Sequence, residues 1–267
     1  MTKPMFAPRV VPPLPRMWRG RFLIERNLVA TRRFWPVLLS GFFEPLFYLV
    51  AMGIGLGELA GDVTFGGVSV DYVAYIAPAM LASSAMNGAV FESTNIFFKL
   101  RYGKIYDGVL ATPIEPVDVA SGEIGWTLAR GAMYSTAFML VMAVMGLIES
   151  PLGILALPAA LLISFSFGAM ATAGVTWMRT WQDMDLVTFI TLPLFLFSAT
   201  FYPLDVYPPA LQVVAWFSPL YHGVVLCRGL TLGVLSWTML INIAYLATLG
   251  VVGAWITARR IEQMLRV

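Results

Sequence analysis

The chain has 267 residues, of which 59% are hydrophobic and 12% charged, with a formal net charge of +2; its mean hydropathy is +0.78. A soluble domain carries about 25% charged residues, so no water-exposed surface can be built from this composition, and the chain reads as an integral membrane protein. Its single cysteine, Cys227, excludes an internal disulfide and any cysteine-rich metal site.

The chain starts with a basic lead that includes "PRVVPPLPR". Proline at this density reads as an extended, flexible segment over 1–15. It has no short apolar core ending in small residues, so no cleaved signal peptide is expected. Residues 16–33 set Trp18, Phe22, Leu28 and Val29 among several arginines. On a helix these form an amphipathic element at the inner membrane surface; the alternative is a disordered basic tail that only sets topology. From residue 16 to 267 the chain reads as one transmembrane domain.

Six segments are long and apolar enough to span, at about 34–56, 73–97, 124–148, 152–178, 186–202 and 235–258. The fold class expected is all-α, because barrel strands are alternating segments of only about 10 residues. The apolar stretch 211–230 is interrupted by Pro219, Tyr221, His222 and Arg228 and reads as a re-entrant or interfacial element. Basic residues cluster before the first span, in the loop after the second (Lys99, Arg101, Lys104), after the fourth (Arg179) and in the tail (Arg259, Arg260, Arg266). The alternate loops at 57–72 and 149–151 contain none. The positive-inside rule therefore puts both termini and the 99–104 loop in the cytoplasm of a cell-membrane protein.

No catalytic constellation is present. The sequence lacks a GxxxxGK[ST] phosphate loop, an HExxH motif and a GxSxG elbow. The lone His222 reads as a hydrogen-bonded structural residue. Ions inside apolar segments carry more information, since each must face protein or water. They are Glu44 in span one, Glu92 in span two and Arg130 in span three. A proton relay is one reading. The other is that Glu44 pairs with a hydroxyl, an amide or Arg130 between helices, and the absence of His or Lys beside the two acids favours it.

Residues 98–109 space Phe98, Tyr102, Ile105, Tyr106 and Val109 as on a helix, and Pro113 ends it by disfavouring an α conformation at Thr112. Such an amphipathic element can lie on lipid or dock into a groove of another protein. The residues by themselves leave both open.

Three stretches are distinctive: "FFEPLFYLVAMGIGLG" at 42–57, "SSAMNGAVFESTNIFFKLRYGKIYDGVLATPIEPVDVASGEI" at 83–124, and "LFLFSATFYPLDVYPPALQVVAWFSPLYHGVVLCRG" at 194–229. In this order they resemble the membrane subunits of ABC-2 type exporters, in particular the NodJ-like lipooligosaccharide and drug-resistance permeases. The likeness runs from about Arg26 and leaves out the Pro-rich lead. It implies six helices, an N-terminal interfacial helix, a cytoplasmic coupling helix between spans two and three, and re-entrant helices around 207–225. The coupling helix, at 102–112, would fit a groove on a separate nucleotide-binding ATPase subunit. Its contact residues would be Tyr102, Gly103, Lys104, Ile105, Tyr106, Asp107, Thr112 and Pro113, with Tyr102, Ile105 and Tyr106 as anchors. ATP and Mg would sit on that partner, so this chain would bind no cofactor and would not itself be an enzyme. A second permease copy, identical or related, and membrane lipid complete the implied partners; nucleic acid is not among them.

The resemblance also implies that spans two and five line the route. In this sequence they interleave amides and hydroxyls with aromatics, which suits an amphiphile such as a glycolipid or a hydrophobic drug. Asn87, Phe91, Phe195, Phe197, Ser198 and Phe201 are the candidates for pathway or gate. Ordinary helix packing, with small polar residues as glue, would give a similar composition. A membrane-embedded lipid-modifying enzyme and a non-transporting scaffold are the competing classes. The enzyme would need convergent acids, His or Lys, whereas Glu58, Asp62, Asp71, Glu149, Asp205 and His222 are scattered.

Overall fold

The computed structural model describes residues 19–32 and 35–265, with only the backbone at 35–42 and 58. The Pro-rich lead of the sequence reading lies outside the described residues. The chain is a multi-pass, all-α membrane protein. Its helices are α1 (Gly20–Arg32), α2 (Trp35–Ala60), α3 (Tyr72–Arg101), α4 (Ile105–Leu110), α5 (Pro116–Val144), α6 (Ala156–Val175), α7 (Asp185–Phe197), α8 (Pro209–Phe217), α9 (Pro219–Leu232) and α10 (Thr238–Leu265).

The centre is α3. Its apolar residues are spread around the circumference with no separate polar face, as suits a helix covered by others on most sides, and its buried residues run from Tyr72 to Phe97 and include Ser83, Ser84, Glu92 and Ser93. Small residues let its neighbours approach, which is how membrane helices pack without a hydrophobic force between them. A Cβ at Gly88 would come within 3.0 Å of the Gly131 Cα and within 2.9 Å of the Tyr134 ring, so α3 and α5 meet almost backbone to backbone. The crossing of α1 over α5 uses the same device: a Cβ at Gly122 would meet the Gly20 carbonyl oxygen and the Leu23 Cβ, each at 2.7 Å. That crossing buries Gly20, Leu23 and Asn27 of α1 and leaves Leu28 and Val29 exposed, so residues 20–32 are an amphipathic helix rather than a disordered tail.

Among the described residues, four helices are long and apolar enough to cross a membrane: α3, α5, α10, and α6 with the 3₁₀ turn Pro151–Leu155 before it. The pair α8–α9 passes the same test as one unit bent by 85°, and it occupies the stretch that the sequence marked as re-entrant. Helix α2 runs along the first expected span with 26 residues, of which Phe43–Gly57 is the described apolar part. The fifth expected span differs. Helix α7 stops at Phe197 instead of running to 202. Its 13 residues reach about 20 Å, against a hydrocarbon core of about 30 Å. The cause lies at Ala199, whose φ of +53° takes the chain out of the right-handed helical region.

The loop 57–72 contains a feature the sequence reading left unassigned. Strands β1 (Asp62–Phe65) and β2 (Val68–Asp71) pair antiparallel, with Phe65 opposite Val68. Gly66 and Gly67 form the two-residue turn with φ of +58° and +85°, the geometry that tight hairpins require. This hairpin sits by the start of α3, and α4 sits by its end. The two ends of the molecule are named here by those landmarks.

Candidate functional site

At mid-height, α2, α3 and α7 enclose a cavity of about 180 Å³. Glu44, Asn87, Phe91 and Thr94 line it from one side, and Thr188, Thr191 and Phe195 from the other. The Asn87 amide Nδ2 donates to Glu44 Oε2 at 3.5 Å. Glu44 therefore finds an amide on the neighbouring helix, one of the partners foreseen for it. Phe195 and Phe197 are two apart on α7 and cannot share a face. Phe195 is buried and lines the cavity, while Phe197 is exposed on another side.

Towards the hairpin end the Phe195 ring packs on Tyr48 and Phe201, with centroids 5.1 and 5.2 Å away. Phe195 is the member of this trio that lines the cavity. Ser198 does not line it. Its hydroxyl donates to the Leu194 carbonyl and lies 2.5 Å from the Ser218 hydroxyl, tying the end of α7 to the α8–α9 bend. Arg228 of α9 holds the same junction. Its Nε donates to the Tyr75 carbonyl at 3.0 Å and an Nη to those of Ala199 and Thr200, while the guanidinium stacks 3.7 Å from the Tyr75 ring centroid.

At the α4 end, α1, α3 and α5 share a ladder of charges. Arg130 donates to Glu92 at 2.7 Å, and Lys99 donates to Glu123 at 2.8 Å and to Glu92 at 3.3 Å. Arg26 and Asn27 of α1 donate to Glu123 at 3.3 and 3.1 Å. The two carboxylates are almost fully buried. Each charge has an opposite neighbour, which offsets the desolvation that would otherwise expel it. Arg130 is thus the partner of Glu92 and not of Glu44, and a lysine does stand beside an intramembrane acid. Glu123, Lys99 and Arg26 were not singled out in the sequence, although a pattern was available. Glu92 precedes Lys99 by seven residues, and Glu123 precedes Arg130 by the same spacing. Seven residues make two helical turns, so each pair shares a face. Antiparallel packing of α3 on α5 then sets acid against base at both rungs.

Between these helices the chain turns through Lys104, with φ of +42°, into the short α4. Tyr102, Gly103, Lys104, Ile105, Asp107, Thr112 and Pro113 are exposed. Tyr106 is not. It is 1% exposed and packs against Leu23, Val119, Ala120 and Ile261. Helical spacing put it with Tyr102 and Ile105, but α4 starts only at Ile105 after the left-handed turn, and the change of direction sends Tyr106 inward. Burial, and after it the charge of Glu123, holds the Tyr106 phenol well above its ordinary pKa. Arg19 fixes the far side of the turn by donating to the Pro113 carbonyl at 2.8 Å. Tyr102 leans on Phe97 and Phe98, and Trp181 from the α6–α7 loop covers Phe98 at 4.8 Å between centroids.

A family model for the ABC-2 type transporter matches residues 20–232. The chain belongs to the ABC-2 type transporter family. It is similar to Nodulation protein J of Rhizobium leguminosarum bv. trifolii, with 32% identity over 213 residues, 78% of this chain and 79% of the relative. Nodulation protein J of Sinorhizobium fredii (strain NBRC 101917 / NGR234) is 30% identical over 216 residues, covering 79% and 78%. The Inner membrane transport permease YadH of Escherichia coli (strain K12) is 21% identical over 176 residues, covering 66% and 67%. The chain is accordingly a transport permease of NodJ-like type, as the three sequence stretches implied. The matched region of this ABC-2 permease takes in the charge ladder, α4, the α3–α7 cavity and the α8–α9 bend.

Proposed function

We propose that this ABC-2 permease is the membrane subunit of an ATP-driven exporter for an amphiphile, a glycolipid, a polysaccharide-lipid or a hydrophobic drug. The observation that carries the reading is the cavity between α3 and α7, where the Asn87 amide and the hydroxyls of Thr94, Thr188 and Thr191 alternate with Phe91 and Phe195. Such a lining offers hydrogen bonds to a sugar or other polar head and apolar contact to a chain or ring. Two copies, identical or related, would each contribute one such face. The exposed edge of the α4 turn, with Tyr102, Lys104, Ile105 and Asp107, supplies the contact for a separate ATPase subunit that carries ATP and Mg. Both termini and this turn lie in the cytoplasm on the distribution of Lys and Arg. Closure of the ATPases rocks the permeases between inward- and outward-facing states.

The test is co-expression with a candidate nucleotide-binding subunit, copurification, and reconstitution into vesicles with a fluorescent glycolipid. ATP-dependent movement of the glycolipid is expected. It should fall at least about tenfold in Phe195→Ala, the equivalent of a barrier change of about 1.4 kcal/mol. A complex that retains no ATPase, or that turns over ATP with no effect on any amphiphile offered, would overturn the proposal.

A further inference from the structure

Beside the charge ladder lies a second cavity, of about 670 Å³, between α1, the end of α3, the turn into α4, and α5. Its lining combines Thr31, Lys99, Arg130 and Glu92, whose carboxylate both cations bond, with the rings of Phe98, Tyr102 and Trp126. The bonded ladder holds three cations, Arg26, Lys99 and Arg130, against two carboxylates, Glu92 and Glu123, which leaves one positive charge in surplus. Arg130 is 6% exposed. Its buried Nε–H has no acceptor among the described residues, and neither has the buried Nη1 of Arg26. A buried cationic donor without an acceptor is costly. An anionic oxygen entering the cavity would give the Arg130 Nε–H its acceptor.

We infer that this cavity binds a phosphate-type anion carried by an amphiphile, with Arg130 and Lys99 on the anionic oxygens and the aromatic wall against the adjoining apolar part. Guanidinium suits that task because its planar fork matches tetrahedral oxyanions, while the lysine adds a point charge. The same chemistry would accept a lipid headgroup or free phosphate. The inference rests on the export reading for the source of the ligand, the membrane leaflet at this end of the molecule. Binding itself requires neither the ATPase nor transport.

The experiment uses the full chain purified in a neutral detergent without its ATPase. Saturating dihexanoylphosphatidylglycerol should raise the melting temperature by about 5 °C, and dihexanoylglycerol, which has the same chains and no phosphate, should leave it unchanged. Thr31→Asp adds a carboxylate to the cavity lining and keeps the ladder intact; Lys99→Gln removes one cation. Each cancels the surplus charge and should abolish the shift. If inorganic phosphate alone reproduces the full shift, the site is an anion site whose ligand is free phosphate. Equal shifts with both lipids, no shift with either anion, or an undiminished shift in Thr31→Asp would overturn the inference. None of these outcomes bears on whether the reconstituted complex exports, so the two proposals fail separately.

Discussion

Removing the Tyr106 ring would open a hole among Leu23, Val119, Ala120 and Ile261, residues drawn from α1, α5 and α10. Tyr106→Ala should therefore cost about 3 kcal/mol of stability. Tyr106→Phe keeps the ring among these residues and should stay within about 1 kcal/mol. Thermal melts of the detergent-solubilised chain separate the two, and equal melting temperatures for Ala and Phe would refute the packing role. The Glu92–Arg130 rung makes a different demand. Glu92→Gln strands a buried guanidinium and should cost about 3 kcal/mol. Adding Arg130→Gln should recover part of that loss, with a coupling of at least about 1 kcal/mol in a double-mutant cycle; additive losses would show that the rung is not a unit. At this scale the sequence was legible where a residue's environment follows from its own element. Glu44 does find an amide across the helix interface, that of Asn87. Tyr106 was misread because a single left-handed residue, Lys104, turned its helix, and the ladder was missed because it becomes visible only when two helices are read together.

Among the elements, the 3₁₀ turn Trp181–Met184 that leads into α7 depends on one carboxylate. The backbone N–H groups of Thr180 and Arg179 donate to Asp183 Oδ2 at 3.0 and 2.7 Å. These bonds hold the Asp183 pKa below the ordinary carboxylate value. Because the folded pKa is depressed, the stabilisation is present at neutral pH and is lost as pH falls through the folded pKa. The turn should open in acid, read as faster amide exchange at Thr180 and Asp183 relative to α6. Asp183→Ala should mimic this at neutral pH and speed tryptic cleavage after Arg179 several-fold; unchanged cleavage would mean that the turn is held by something else. The long helices were legible as elements because their apolar runs exceed anything a strand can use. The end of α7 was not, since nothing in the residue type of Ala199 announces a positive φ, and the expected span continued through it. The β-hairpin was legible in principle, from alternating residues on both sides of Gly66–Gly67, but its strands are only four residues long.

For the molecule as a whole, orientation is the first question, and the structure selects the probe sites. Gly66 is unsuitable, because a Cβ there would come within 2.4 Å of a Val234 methyl. Ser69 and Lys104 are exposed at opposite ends of α3. In a Cys227→Ala background, cysteine at Ser69 should react with an impermeant maleimide on intact cells, and cysteine at Lys104 only after permeabilisation. Reaction at Lys104 in intact cells would invert the topology. The charge ladder then has a mechanical consequence. With rungs two turns apart and both occupied, α3 cannot slide along α5 by one residue without breaking both, so the pair acts as a stiff strut with α4 as its foot. A push at the foot would then move α3 and α5 together, and bending is expected along the short α7. Spin labels at Phe98 and Ser121 should keep their separation through the nucleotide cycle of the complex proposed above, while labels at Phe98 and Phe189 should change theirs. The strut would thus transmit torque, and α7 would be the joint.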